Sequence, residues 1–149
     1  MINESIKIRG DLNIVLKDEN GNIKDQREET NLVVTAGLAF ITSRMADAAD
    51  GVMSHMAVGS DSTVAAAGDT DLGSILGSRE ALDSTTDSGS SITYVASFEA
   101  GDGTGAITEA GIFNAASAGT MLCRTNFATV NKNQNDTMTI TWVVSLSAS

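Results

Sequence analysis

The stretch Thr137-Met138-Thr139-Ile140-Thr141-Trp142-Val143-Val144-Ser145-Leu146-Ser147 alternates along its length. Met138, Ile140, Trp142, Val144 and Leu146 share one parity, and Thr137, Thr139, Thr141 and Ser145 share the other. Successive side chains of a strand point to opposite faces, so this segment reads as a strand with one face in a core and one toward water. Ile92, Tyr94, Ala96 and Phe98 repeat the pattern. Working outward, strands are expected at 52–59, 79–86, 91–100, 105–114, 120–127 and 137–147. Gly101-Asp102-Gly103-Thr104-Gly105 and Asn131-Lys132-Asn133-Gln134-Asn135-Asp136 supply turn chemistry between them. Short strands at regular spacing predict an all-β chain folded as a single β-sandwich domain, jelly-roll-like. The expected core includes Ile92, Tyr94, Phe98, Ile112, Phe127, Ile140, Trp142 and Val144. The widest gap, 60–77, is rich in Ala, Gly and Asp and reads as a surface loop or an ordered arm.

Upstream, Ile6, Ile8, Leu12, Ile14 and Leu16 all fall on even positions, and Asp18-Glu19-Asn20-Gly21-Asn22 follows. An Asn-Gly pair is a strong hairpin signal, since a type I′ turn needs positive φ at both central residues. A return strand is expected over 23–33. Its middle, Lys24-Asp25-Gln26-Arg27-Glu28-Glu29, is polar on both faces, which predicts an extended arm or edge ribbon that meets solvent or a partner. A single helix is expected over 35–46, with Thr35 as candidate N-cap, Leu38, Ile41 and Met45 recurring on one face, and Leu38 and Ile41 assigned to the core. The single domain 1–149 thus divides into an arm (1–34), the short helix (35–46) and the main sandwich (52–149).

The chain has 149 residues, a net charge of −10, no proline and one cysteine, Cys123. A lone cysteine permits no intrachain disulfide, and synthesis in a reducing cytoplasm is expected. The start of the chain lacks the basic and apolar regions of a signal peptide, and no apolar run reaches the length of a membrane-spanning helix. Binding to nucleic acid draws on Lys and Arg displacing counterions, so this acidic chain is expected to bind neither nucleic acid nor membrane. Most of the basic residues lie before Arg44. Lys7, Arg9, Lys17, Lys24 and Arg27 are therefore the candidate partner contacts, carried on the N-terminal ribbon.

Residues suited to chemistry are few. His55 is the only histidine, so a histidine-based triad has one place to form, and the residue reads as half-buried or exposed on a strand. Cys123, between Leu122 and Arg124, reads as a small core hydrophobe. One Cys and one His fall short of a structural zinc site. Asp61, Asp69, Asp71 and Asp102 fall in expected loops and read as solvated acids, since Asp69-Thr70-Asp71-Leu72-Gly73 lacks the length and bidentate Glu of an EF-hand. Glu99 and Glu109 flank one turn without the aromatic surface that stacks on sugars. The Gly-rich turn lacks the Lys-Ser/Thr of a phosphate loop. Glu109 stands among Ala106, Ile107, Ala110 and Ile112; it is either a carboxylate bonded to a loop backbone or an exposed strand residue. No catalytic, cofactor or metal residue is assigned.

One resemblance covers nearly the whole chain. Gly105-Ala106-Ile107-Thr108-Glu109-Ala110-Gly111-Ile112-Phe113-Asn114-Ala115, then Gly119-Thr120-Met121-Leu122-Cys123-Arg124-Thr125 and Asp136-Thr137-Met138-Thr139-Ile140-Thr141-Trp142, resemble a family of tailed-phage virion proteins. Asn31-Leu32-Val33-Val34-Thr35-Ala36-Gly37 and Met56-Ala57-Val58-Gly59 extend the likeness. Members of this compact size resemble capsid decoration or cement proteins, which are β-rich, oligomeric and seated over joints of the major capsid protein. The resemblance implies a non-enzymatic component of the capsid exterior, with the major capsid protein and further copies of itself, as homodimer or homotrimer, for partners. The same Ile-Thr-Glu-Xaa-Gly strand also occurs in tail-fibre and collar-type proteins, so a tail-fibre or baseplate attachment module is the alternative. Neither setting carries a catalytic residue to transfer. A fibre shaft would ordinarily show repeats or heptads, and the chain has neither.

Overall fold

In the computed structural model, which describes residues 4–47 and 50–148, the period-two segments pair into antiparallel strands. In chain order they are β1 (Ile6–Lys17), β2 (Ile23–Val33), β3 (His55–Gly59), β4 (Glu80–Ala81), β5 (Ser84–Ser88), β6 (Ser91–Phe98), β7 (Gly105–Phe113), β8 (Met121–Lys132) and β9 (Thr137–Ala148). The helix α1 (Thr35–Met45) lies between β2 and β3. The strand order is β4-β3-β7-β8-β2-β1-β9-β6-β5, a single curled sheet whose two halves share one core. All-β architecture in one domain is what the spacing of the strands predicts.

Two stretches of chain turn the corners by dividing their pairing between the halves, as sheet-switching segments do. β2 pairs with β1 from Ile23 to Asn31, then with β8 through Leu32 and Val33. On the other flank, Glu80 and Ala81 pair with Met56 and His55, whereas Asp83 donates to the Val95 carbonyl and Ser84 pairs with Val95. The expected strand at 79–86 is therefore broken in two, because one stretch of chain serves both halves.

Leu12, Ile14 and Leu16 of β1, Tyr94, Ala96 and Phe98 of β6, and Met138, Ile140, Trp142 and Val144 of β9 pack against Met56, Val58, Ile107, Ile112, Cys123 and Val130 of the other half. Of the expected core, Tyr94, Phe98, Ile112, Ile140, Trp142 and Val144 are buried; Ile92 and Phe127 are half-buried against the cluster. Phe127 is displaced by a bulge, where residues 127–129 of β8 lie opposite Thr108 alone. Trp142 sits between Leu12 and Tyr94, and its indole N–H donates to Asn31 Oδ1 at 2.8 Å. The Asn31 side chain occupies the space that a Cβ on Gly10 would take.

Four local expectations are corrected. The N-terminal segment is no arm over its described residues: β1 lies inside the sheet, bonded to β2 on one side and along its whole length to β9 on the other; Met1, Ile2 and Asn3 lie outside the described residues. The 18–22 connection is no type I′ turn, since only Gly21 has positive φ (84°) there. Gly21 N–H donates to the Asp18 carbonyl, and Asp18 Oδ1 accepts the N–H groups of Asn20 and Asn22. The Asp18 side chain thus holds a longer loop that needs one left-handed residue.

The helix is rotated from its expected face. It buries Gly37 and Phe40, with Ile41 half-buried, while Leu38 is 46% and Met45 82% exposed. A Cβ on Gly37 would overlap the Leu122 carbonyl, so the glycine lets α1 settle on β8 and this contact sets the rotation. Val34, rather than Thr35, occupies the N-cap position, and no side chain caps the helix; Thr35 N–H donates to the Ala67 carbonyl.

Candidate functional site

The buried polar residues Glu109 and Arg124 face each other from paired strands, Glu109 on β7 and Arg124 on β8. Glu109 Oε2 accepts the N–H groups of Asp61 (2.9 Å) and Ser74 (2.8 Å), and Oε1 accepts those of Gly73 (2.9 Å) and Arg124 Nε (3.1 Å). Arg124 continues outward to Asp69 Oδ2 (3.0 Å) and the Thr63 carbonyl (3.0 Å). Asn126 adds two more bonds, accepting from Ala65 N–H and donating to the Asp61 carbonyl. A fully buried carboxylate persists only when its lone pairs are matched, and here both oxygens are. The arrangement is a clasp that fixes the 60–77 loop against the sheet, and it resolves Glu109 as the loop-bonded alternative. Both acidic and basic members are satisfied internally, so the clasp positions the loop and leaves no free group for chemistry. Asp61 is held below the usual carboxylate range by the Thr63 backbone N–H, and Asp69 and Asp71 cap local N–H groups.

At the end of the molecule where β6 begins and β9 finishes, the two halves part and leave an apolar trough of about 430 Å³. Phe40, Ile41, Arg44 and Met45 of α1 and the lead-in residues Val52 and Met53 form one wall; Thr85, Ile92, Tyr94 and Leu146 form the other. No carboxylate lines it, in a chain of net charge −10. Met45 and Val52, 82% and 61% exposed, stand at the rim with Leu38 nearby on the helix. Burying such side chains against a partner is worth about 1.5–3 kcal/mol each, and an exposed apolar patch with a polar surround marks a contact face. Burial pushes the Tyr94 hydroxyl up to about 12, so Tyr94 itself is uncharged at ordinary pH.

No protein-family model, curated protein or solved structure matches this chain.

The expected contact residues are scattered by the fold. Lys7, Arg9 and Lys17 are exposed on β1, with Arg9 paired to Asp11 at 2.9 Å. Lys24 donates to Asp136 at 2.6 Å, and Arg27 bonds Asp25 and the carbonyls of Ala128 and Thr129. Arg27 thereby bridges β2 to the bulged part of β8, where the two strands no longer pair. Three of the five cations are paired within the chain, and none of the five lines the trough.

His55 Nδ1 meets the Ser54 hydroxyl at 2.7 Å, a contact between chain neighbours, and no carboxylate is bonded to the ring among the described residues. Cys123 is buried in the core, which pushes its thiol pKa well up and keeps it protonated. Sequence reasoning missed the trough. Its one available signal was Met45 and Val52, two large apolar residues bracketing a run of small and acidic ones.

Proposed function

We propose that this chain is a non-enzymatic decoration protein of a tailed-phage capsid, bound to the outside of the shell and stabilising it through contacts with the major capsid protein and with other copies of itself. The observation that carries the reading is the trough: an apolar hollow lined by no carboxylate, on an acidic molecule whose buried Glu109, Arg124, Lys132 and Asp136 are all bonded within the fold. Such a face is suited to protein contact, while the acidic remainder keeps a densely displayed protein soluble. The clasp supports the same reading, because a loop fixed by buried hydrogen bonds presents a constant surface to a symmetric lattice.

A tail-fibre or baseplate attachment module is the second reading, favoured by the Ile107-Thr108-Glu109-Ala110-Gly111 segment that resembles tail proteins as well. Quantitative mass spectrometry of purified particles separates the two. A copy number on the scale of the major capsid protein is expected, and one on the scale of tail components overturns the capsid assignment. Particles stripped of the protein should take it up again from solution, and Met45→Asp/Val52→Asp should fail to rebind. Full rebinding by that variant would remove the trough from the contact.

A further inference from the structure

We infer that the trough is covered by the trough of a second copy of this chain, in a two-fold dimer that lays the α1 wall of each copy on the β5–β6 wall of the other. This rests on the reading of the trough as a protein-contact face and names its occupant. An isologous interface must carry both halves of every contact on one patch. Here one wall bears the projecting side chains, Met45 and Val52, and the other is recessed around Ile92, Tyr94 and Leu146. A two-fold axis along the trough sets each projection over the opposite hollow.

The charges divide between the walls in the same sense. Arg44, on the α1 wall, donates Nη1 to the Asp50 carbonyl at 2.8 Å and forms no ion pair among the described residues. Asp87 pairs with Ile92 in the β5–β6 ladder, and directly opposed residues of antiparallel strands share a face, so Asp87 stands on the trough side of the other wall. It too forms no ion pair among the described residues. The same axis brings each Arg44 to the partner's Asp87, making two equivalent pairs at the rim. Asp47 and Asp50 are exposed at the helix end and flank Arg44, which is why the test exchanges charges rather than deleting them. Two copies of an acidic chain approach best through a hollow whose lining holds no carboxylate, with the rim acid Asp87 met by Arg44, since acid on acid opposes contact elsewhere. A standard interface takes about 800 Å² from each partner, near a tenth of this chain's 7771 Å² surface. The helix beside the trough is about 16 Å long by its rise per residue, and Leu38, Met45 and Val52 are exposed along it.

Sedimentation velocity of the full chain across micromolar concentrations reads the association, with circular dichroism confirming that each variant is folded. Wild type should sediment as a concentration-dependent dimer. Val52→Asp and Arg44→Glu should each raise the dissociation constant about tenfold or more, since misplaced like charge at an interface costs several kcal/mol. Arg44→Glu combined with Asp87→Arg should recover the dimer. A monomeric or trimeric wild type overturns the inference, as does a dimer that ignores these substitutions or a double variant that stays as weak as Arg44→Glu. Particle binding by the same proteins keeps the two readings apart. A monomeric wild type that decorates particles and loses this with Val52→Asp would assign the trough to another protein. A dimer that never binds particles would overturn the decoration reading and leave the dimer standing.

Discussion

Glu109 shows what a single residue does when a strand carries it into the interior. Its carboxylate replaces water with three backbone N–H donors from the 60–77 loop and the Arg124 guanidinium from β8, adding to the hold that Leu72 and Leu76 of the loop gain by packing on the sheet. Gly59 is part of the same fit, since a Cβ there would run into Glu109 Oε2 and the Ser74 carbonyl. Removing one member of a buried ion pair strands the other, at a cost of about 3–5 kcal/mol. Glu109→Ala should lose about that much stability in urea unfolding. Amide exchange should quicken at Asp61, Gly73 and Ser74 before it does so in β9. Unchanged protection at those three amides would show that the loop is held by something other than the clasp. The odd acid in an apolar stretch was visible in the sequence. Its partner was not, because the pairing of Glu109 with Arg124 depends on the register of β7 against a bulged β8.

At the scale of elements, the N-terminal hairpin changes role between sequence and structure. Its period-two face is real, with Leu12, Ile14 and Leu16 buried, but the polar return strand does not make it a free ribbon. β2 turns a corner of the sheet, so its polar residues lie along the outside and Arg27 spans the gap to β8. β1 then has two neighbours and no free edge over the paired residues. Removing residues 1–30 would open the sheet in its middle, leave the edge of β9 unpaired where β1 had bonded it and take Leu12 away from Trp142. The truncated chain should therefore lose cooperative thermal unfolding and its strand signal in far-ultraviolet circular dichroism. A remainder with a native-like melt would show that β9 and β8 can close the core alone. The helix carries the converse lesson: a three-residue and four-residue periodicity located α1, yet the contact of Gly37 with β8 selected which side faces in.

For the whole molecule, stability is tied to carboxylates that stitch loops and strand ends. Asp18 is held below its ordinary pKa chiefly by the Asn22 backbone N–H, and Asp61 chiefly by that of Thr63. Burial pushes Asp136 up, but the Lys24 ammonium and the Asn133 N–H outweigh it and leave its pKa lowered. A depressed folded pKa means that the unfolded chain takes up protons first. The stabilisation is present above about pH 4, near the unfolded carboxylate value, and is lost as pH falls through the lower folded values. The urea midpoint should accordingly decline below that pH, and Asp18→Asn with Asp136→Asn should flatten the decline; a midpoint constant to strongly acid pH would contradict it. The alkaline side has the opposite cause. Tyr94, the only tyrosine, is raised to about 12 by burial, so stability should fall as pH rises from about 10 toward 12, and phenolate absorbance should appear only there.

Alternation in Met138–Leu146 and Ile92–Phe98, turns rich in Gly, Asn and Asp, and a single short helical period were sufficient to determine an all-β chain, its strand positions and most of its core, because burial of every second side chain is a local constraint written residue by residue. The acidic balance, too, was a property of composition alone. Which strands became neighbours, how β2 and the 80–88 stretch divide between the halves, which side of α1 faces inward, and where two walls part to leave the trough were decided only in three dimensions. Those features depend on register and on contacts between residues far apart in the chain, such as Gly37 with Leu122, Asn31 with Trp142 and Arg27 with Ala128, and no local pattern encodes them.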